Sequence, residues 1–143
     1  MKISTKGRYA LRMMLDLAQH QGDGYVALKD VAQRQEISKK YLEQIVPLFH
    51  NTDLLQTNRG FQGGYRLAKS PDCCTVGEIL RITEGTLSPV ACLDRANHCP
   101  RREECLTLPV WEGLHKVICS YLDSITLQDI LQRRPQATDC ADA

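Results

Sequence analysis

No stretch of this 143-residue chain stays apolar for more than a few residues, which excludes a membrane-spanning helix. Met1-Lys-Ile-Ser-Thr-Lys6 lacks the apolar centre of a secretory signal, so a cytoplasmic location is expected. A glycine-rich phosphate loop, a nucleophile motif and paired carboxylates with supporting context are all missing, so an enzyme is not expected. Internal repeats and low-complexity tracts are absent too. Net charge is almost nil at +1. With 43% hydrophobic and 24% charged residues, the composition is that of one compact globular unit, or two small ones sharing a core.

The small net charge hides an asymmetry. Residues 1–67 carry ten Lys/Arg against six Asp/Glu, whereas residues 68–143 carry eight against eleven. A basic first half suits a polyanion, and the second half reads as a separate, non-binding body.

Cysteine is plentiful. Seven residues in a chain expected to meet reducing conditions argue against a disulfide framework, and the odd number agrees. Three of them, Cys92, Cys99 and Cys105, share one short polar stretch, separated by six and then five residues. Such a loop lets three thiolates converge on one soft metal centre without regular structure around them. The other four read as plain: Cys119 as core in a helical pattern, Cys140 in a frayed tail, and Cys73-Cys74 in a linker.

Apolar spacing at Ala10/Leu11, Met14/Leu15 and Leu17/Ala18 predicts a helix over Thr5 to His20, ended by Gly22-Asp23-Gly24. Tyr25 to Leu28 is a short apolar segment before a second helix, about Lys29 to Gln35. Ser38 is a good N-cap for a third, with Ile37 and Leu42 at the positions of a hydrophobic staple. Pro47 should bend or end that helix. Leu54-Leu55-Gln56-Thr57 and Tyr65-Arg66-Leu67 then flank a glycine-rich connection, as two strands of a hairpin would.

Further on, Thr75-Val-Gly-Glu78 has capping-box spacing for a helix to about Glu84, stopped by Gly85. Residues 86–107 show no periodicity. A long helix opens at Thr107-Leu-Pro109, with Val110, Leu114, Val117, Ile118, Tyr121 and Leu122 on one stripe. Thr126-Leu-Gln-Asp129 caps a short last helix that Pro135 ends. The expected architecture is mainly α with a small β-hairpin wing: a winged helix-turn-helix over 1–70, then a cysteine loop and long dimerisation helix over 71–135. A disordered tail covers 136–143.

In a helix-turn-helix the second helix of the pair puts its N-terminal residues at the base edges of the major groove. Here that helix begins Ser38-Lys-Lys-Tyr-Leu-Glu-Gln44. With Leu42 and Ile45 facing the core, Ser38, Lys39, Lys40, Tyr41, Glu43 and Gln44 are left on the groove side. Gln44 suits adenine, Glu43 suits cytosine amines, and the two lysines suit phosphates. Arg59 beside Gly60 stands at the wing tip, where a narrow minor groove attracts an inserted Arg. Taken singly, Lys39-Lys40 is a solvated helix face and Asn58-Arg-Gly60 an ordinary turn. In the full arrangement of three helices and a wing, DNA binding is the stronger reading.

These stretches carry a resemblance. Met1-Lys-Ile-Ser-Thr-Lys-Gly-Arg-Tyr-Ala10, Tyr41-Leu-Glu-Gln44, Arg59-Gly60 with Gly63-Gly-Tyr65, Val76-Gly-Glu-Ile79 and Ser124-Ile-Thr-Leu127 together resemble the Rrf2 family of bacterial winged-helix repressors, over nearly the whole chain except the tail. The three-cysteine loop is most similar to the family's iron–sulfur cluster regulators. Glu84-Gly-Thr-Leu-Ser-Pro-Val90 is similar to its cysteine-metabolism repressors, which lack that loop.

The resemblance implies a homodimer paired through the long helix, with two wings and two recognition helices on a roughly palindromic operator. It also implies an iron–sulfur cluster on Cys92, Cys99 and Cys105, 2Fe-2S ahead of 4Fe-4S, read as a signal of cluster, redox or nitric oxide status. Partners would be double-stranded operator DNA and either cluster-assembly proteins or, in the cluster-free alternative, a cysteine-biosynthesis enzyme.

The family's cluster-binding members place a fourth ligand, a His, three residues after the last Cys. This chain has Leu108 there. Nitric-oxide-sensing relatives use an acidic residue near position 8 of the partner, where this chain has Arg8. Local donors that remain are His98, Asp94, Glu103 and Glu104, with His115 further on and reading as surface. Tetrahedral zinc is the rival metal, disfavoured by the lack of tight Cys-x-x-Cys knuckles.

Overall fold

The computed structural model describes residues 2–61, 63–94 and 96–133. The expected tail, with Cys140, lies outside them. Helix α1 (Thr5–His20) starts where the Ser4 hydroxyl accepts from the Gly7 N–H. Its inner face buries Ala10, Met13, Met14 and Leu17. Leu11, Leu15 and Ala18 are partly covered, so α1 is packed on more than half its circumference.

A carboxylate lies in that interior. Asp16 has no exposed surface and takes bonds from Arg34 Nη2 at 2.6 Å and Gln35 Nε2 at 2.9 Å. Burial pushes its carboxyl up, but those two bonds and the Arg34 charge outweigh it and hold the group ionised, below its ordinary range. The pair ties α1 to α2 (Leu28–Gln35), which begins one residue earlier than expected. Glu36 ends α2 in the left-handed region, at φ 54°.

Helix α3 (Lys39–Ile45) is capped by Ser38, whose hydroxyl accepts from the Tyr41 N–H, and the staple forms with Ile37 and Leu42 both buried. Pro47 ends it: the chain tightens into a 3-10 turn over Val46–Phe49, seating Phe49 in the core with no exposed surface. The wing pairs β1 (Leu55–Asn58) with β2 (Gly64–Leu67) antiparallel, Leu55 opposite Leu67 and Asn58 opposite Gly64. Strand β1 is one residue displaced from expectation, because Leu54 is already committed to the core.

The segment before α2 has a role its apolarity only hinted at. Val26 exchanges two backbone hydrogen bonds of 2.8 Å with Tyr65, joining the wing as a third, one-residue bridge. Gly64 makes this approach feasible, since a Cβ there would overlap the Val26 carbonyl.

Helix α4 (Val76–Glu84) has the full capping box between Thr75 and Glu78 and stops at Gly85, φ 78°. It packs along α1, and Ile79 joins the same core cluster as the winged helix. Glu84 accepts from the Ser4 hydroxyl at 2.6 Å, fastening the start of α1 to the end of α4. Helix α5 (Leu108–Ser124) follows the cysteine loop, and α6 (Leu127–Leu131) returns to the core through Leu127. Among the described residues no helix is long and apolar enough to cross a membrane.

The stripe expected on α5 divides in two. Ile118 and Leu122 pack on a second cluster formed by Val76, Leu80, Leu87 and Ile125. Val110, Leu114, Val117 and Tyr121 face outward, 61%, 42%, 65% and 43% exposed. No residue of α5 is fully buried within one chain.

Candidate nucleic-acid interface and cysteine loop

The recognition surface follows from the core beneath it. With Leu42 and Ile45 fully buried, α3 presents Ser38, Lys39, Lys40, Glu43 and Gln44, all exposed. Tyr41 is placed differently. It is half-buried, its ring meeting Tyr9 edge-on at 5.4 Å between centroids, so its apolar body supports the helix against α1. Lys39 and Glu43 form an exposed ion pair at 3.6 Å, so part of the lysine's charge is answered within the helix.

Across from α3 the wing carries Arg59 and Gly60, both exposed, with Gly60 at φ 143°. Phe61 beside them is wholly exposed. Between wing and helix runs an open cleft of about 750 Å³, lined by Lys39 and Glu43 on one side and Thr57, Asn58 and Arg59 on the other. Lys29 and His50 also line it. Neither stood out in the sequence, because only the folded chain brings the start of α2 and the end of the 3-10 turn beside the wing. Lysines, an arginine and an imidazole around one open cleft suit a phosphate backbone.

The cysteine loop is fastened by polar bonds. Arg102 spans it, donating from Nη1 to the Cys92 carbonyl at 3.1 Å and from Nη2 to Glu112 of α5 at 3.3 Å. Asn97 donates to the Ala91 carbonyl, and Thr86 to Asp94. Cys92, Cys99 and Cys105 are all half-buried, while His98, Glu103 and Glu104 are exposed. The Cys105 thiol, 3.4 Å from the Thr107 hydroxyl, is pulled below its ordinary pKa by that contact, then by the Thr107 and Leu108 backbone and the charge of Arg101.

In kind, three thiols suit a soft iron–sulfur centre. In place they are not drawn together: among the described residues no three His, Cys, Asp or Glu side chains form a metal-holding group. Leu108 opens α5 without a donor.

The remaining cysteines differ from one another. Cys74 is fully buried, its thiol pushed up to about 11 by burial, which suits a plain packing residue. Cys73 is exposed. Cys119, expected as core, is half-buried and packs on the second apolar cluster, and His115, expected at the surface, is half-buried beside it.

A family model described as "Rrf2: Iron-dependent Transcriptional regulator" matches residues 3–133. The chain belongs to the Rrf2 family of transcriptional regulators. It is 42% identical over 130 residues to the HTH-type transcriptional regulator CymR of Bacillus subtilis, covering 91% of this chain and 89% of that protein. The solved structure of CymR, the global cysteine regulator of B. subtilis, superposes with a TM-score of 0.75 at 39% identity, over 94% of this chain and 99% of that one. That of T. potens IscR gives 0.73 at 39% identity, covering 100% of this chain and 94% of that chain. As an Rrf2 regulator the chain is a DNA-binding transcription factor, and the mainly helical fold with a two-stranded wing is the family's.

Proposed function

We propose that this Rrf2 regulator is a homodimeric repressor whose operator affinity is set by an iron–sulfur cluster held by Cys92, Cys99 and Cys105. The observation that carries the reading is the Arg102 strap. One guanidinium joins the Cys92 backbone to Glu112 on α5, the helix whose Val110, Leu114, Val117 and Tyr121 stand uncovered. A second copy of α5 is the apolar partner such a stripe calls for. Drawing the thiols together pulls on the Cys92 backbone, hence on α5 and on the spacing of the two α3 helices.

When bound, the cluster would supply a redox-active and labile centre, 2Fe-2S in preference to 4Fe-4S. The chain's own share is the three thiols, the lowered pKa at Cys105, and a loop polar enough to rearrange. The fourth position falls to a loop donor such as His98, Asp94, Glu103 or Glu104, or to an external ligand. On DNA, Ser38, Lys39, Lys40, Glu43 and Gln44 enter the major groove and Arg59 with Gly60 the minor groove, while Tyr41 braces the helix.

Anaerobic reconstitution tests this, with iron and sulfide read per monomer beside a variant with Cys92, Cys99 and Cys105 all changed to Ser. Stoichiometric iron and sulfide, lost in the variant together with any iron-dependent change in operator affinity, supports the cluster. Iron-free protein that binds its operator identically in the variant overturns it. That result would favour the second reading, a cluster-free repressor of cysteine metabolism that answers to a protein partner such as a cysteine-biosynthesis enzyme. The dispersed thiols and the similarity to CymR support that alternative.

A further inference from the structure

Behind the cysteine loop, between α4 and α5, lies a cavity of about 250 Å³ whose wall includes Arg81, Asp94, His115 and Cys119. His115 and Cys119 are four residues apart on α5, hence stacked on one face of the helix. The Cys119 sulfur is 3.6 Å from His115 Nε2, the reach of a thiol–imidazole hydrogen bond. The other ring nitrogen, Nδ1, is covered and has no hydrogen-bond partner. A buried polar atom left unanswered is uncommon and calls for a role.

Arg81 closes the constellation. It clamps Asp123 with bonds of 2.5 and 2.8 Å. Its pKa is raised, first by the bond to Asp123, and Arg81 lines the same cavity as Cys119. This face of α5 is not the one left for a second copy. Val110, Leu114, Val117 and Tyr121 succeed one another at helical spacing on one side, and Cys119 and His115 fall roughly opposite. Dimerisation through that stripe leaves the cavity open.

We propose that Cys119 is a peroxidatic thiol, with His115 as its base, oxidised by hydroperoxides to a sulfenic acid in the cavity that Asp94 of the cysteine loop also lines. Cys119 passes its proton to His115 Nε2, and the sulfur attacks the terminal oxygen of the hydroperoxide. The S–O bond forms as the O–O bond breaks. Sulfur is oxidised by two electrons, and the peroxide is reduced to an alkoxide, or to hydroxide from hydrogen peroxide. The leaving oxygen takes the proton from the imidazolium and departs as alcohol or water, leaving Cys119 as S–OH. The new oxygen is added on the wall of the cavity that Arg81 also lines.

The test uses the reduced full-length chain, hydrogen peroxide, a dione that traps sulfenic acids, and peptide mass spectrometry to follow each cysteine. Cys119 is expected to label about tenfold or more faster than Cys73, which is exposed and has Ser70 rather than an imidazole beside it, and His115→Gln should erase that advantage without changing the Cys73 rate. The comparison with Cys73 is made within wild-type protein, so it stands even if the variant folds poorly. Equal labelling of Cys119 and Cys73, or an unchanged Cys119 rate in folded His115→Gln, overturns the assignment. Operator DNA is not involved, so this result is independent of the proposed function.

Discussion

Leu42, Ile45 and Phe49 beneath the recognition surface have no exposed area at all, whereas among the described residues of 86–107 Leu87 alone is buried. The first region takes its shape from a packed interior that the chain must form to fold. The second takes its shape from a few exposed hydrogen bonds, from Arg102, Asn97 and Thr86, each worth little against water. A surface that reads DNA has to be held rigid, because base-edge contacts tolerate only small errors in position. The role proposed for the loop, answering to a ligand, needs it to be alterable at low cost. The molecule separates the two demands along its sequence and joins them through α5.

Stability should expose the contrast most strongly. Phe49→Ala removes a fully covered ring from the main core and is expected to cost about 3–5 kcal/mol in urea denaturation. Cys99→Ser in the metal-free protein should stay within about 0.5 kcal/mol of wild type. A loop substitution as damaging as the core one would mean that the loop is packed in the dimer, and the contrast would collapse.

Gly64→Ala comes next and touches the wing alone. The added methyl must displace the Val26 carbonyl, separating β2 from its bridge. A loss of about 1–3 kcal/mol in stability is expected from such overpacking. Operator affinity should fall as well, because Arg59 is carried by the same hairpin. If affinity is retained, the wing does not contribute to the complex.

Arg59→Ala separates contact from fold. The side chain is exposed and its removal should leave stability unchanged, while operator affinity falls by about 1–3 kcal/mol if it enters the minor groove. Titrations at several salt concentrations distinguish insertion from simple phosphate contact. Loss confined to A·T-rich operators indicates groove insertion, and uniform loss with a shallower salt slope indicates the backbone.

What could be read in advance follows the same division. Ser38, Thr75 and Thr126 announce helix starts through chemistry that acts within four residues, and all three cap as expected. Apolar spacing announced α1 and α5 for the same reason. Asp16 was not legible as a buried group, because only tertiary structure brings Arg34 and Gln35 onto it. The bridge from Val26 to Tyr65 and the place of Lys29 and His50 in the wing cleft depend on contacts between distant residues. The α5 stripe was read as one face and is two, since periodicity records that a position is apolar and not which neighbour covers it. In the loop, sequence named the thiols but had no means of placing them. Cys119 packs on the second cluster as a core reading implies, while His115 shares a cavity wall with Arg81 and Asp94, which are distant in sequence.

The smallest expected effect lies at the junction of the two regions. Thr107 precedes α5, and its hydroxyl is the leading cause of the lowered pKa at Cys105. A depressed thiol pKa means that the thiolate persists to lower pH than in an ordinary cysteine. Thr107→Ala removes the side-chain contact and leaves the Thr107 and Leu108 backbone contributions and the Arg101 charge in place. The pH profile of Cys105 alkylation, followed by peptide mass spectrometry, should therefore move upward without reaching the profile of an unassisted thiol. Cys99 offers the internal reference, since Thr107 is not bonded to it. A profile for Cys105 that does not move would mean the helix start alone activates the thiol, and a profile that also moves for Cys99 would mean the substitution has rearranged the whole loop. Movement confined to Cys105 would show that the loop, though loosely held, sets the chemistry of its thiols one contact at a time.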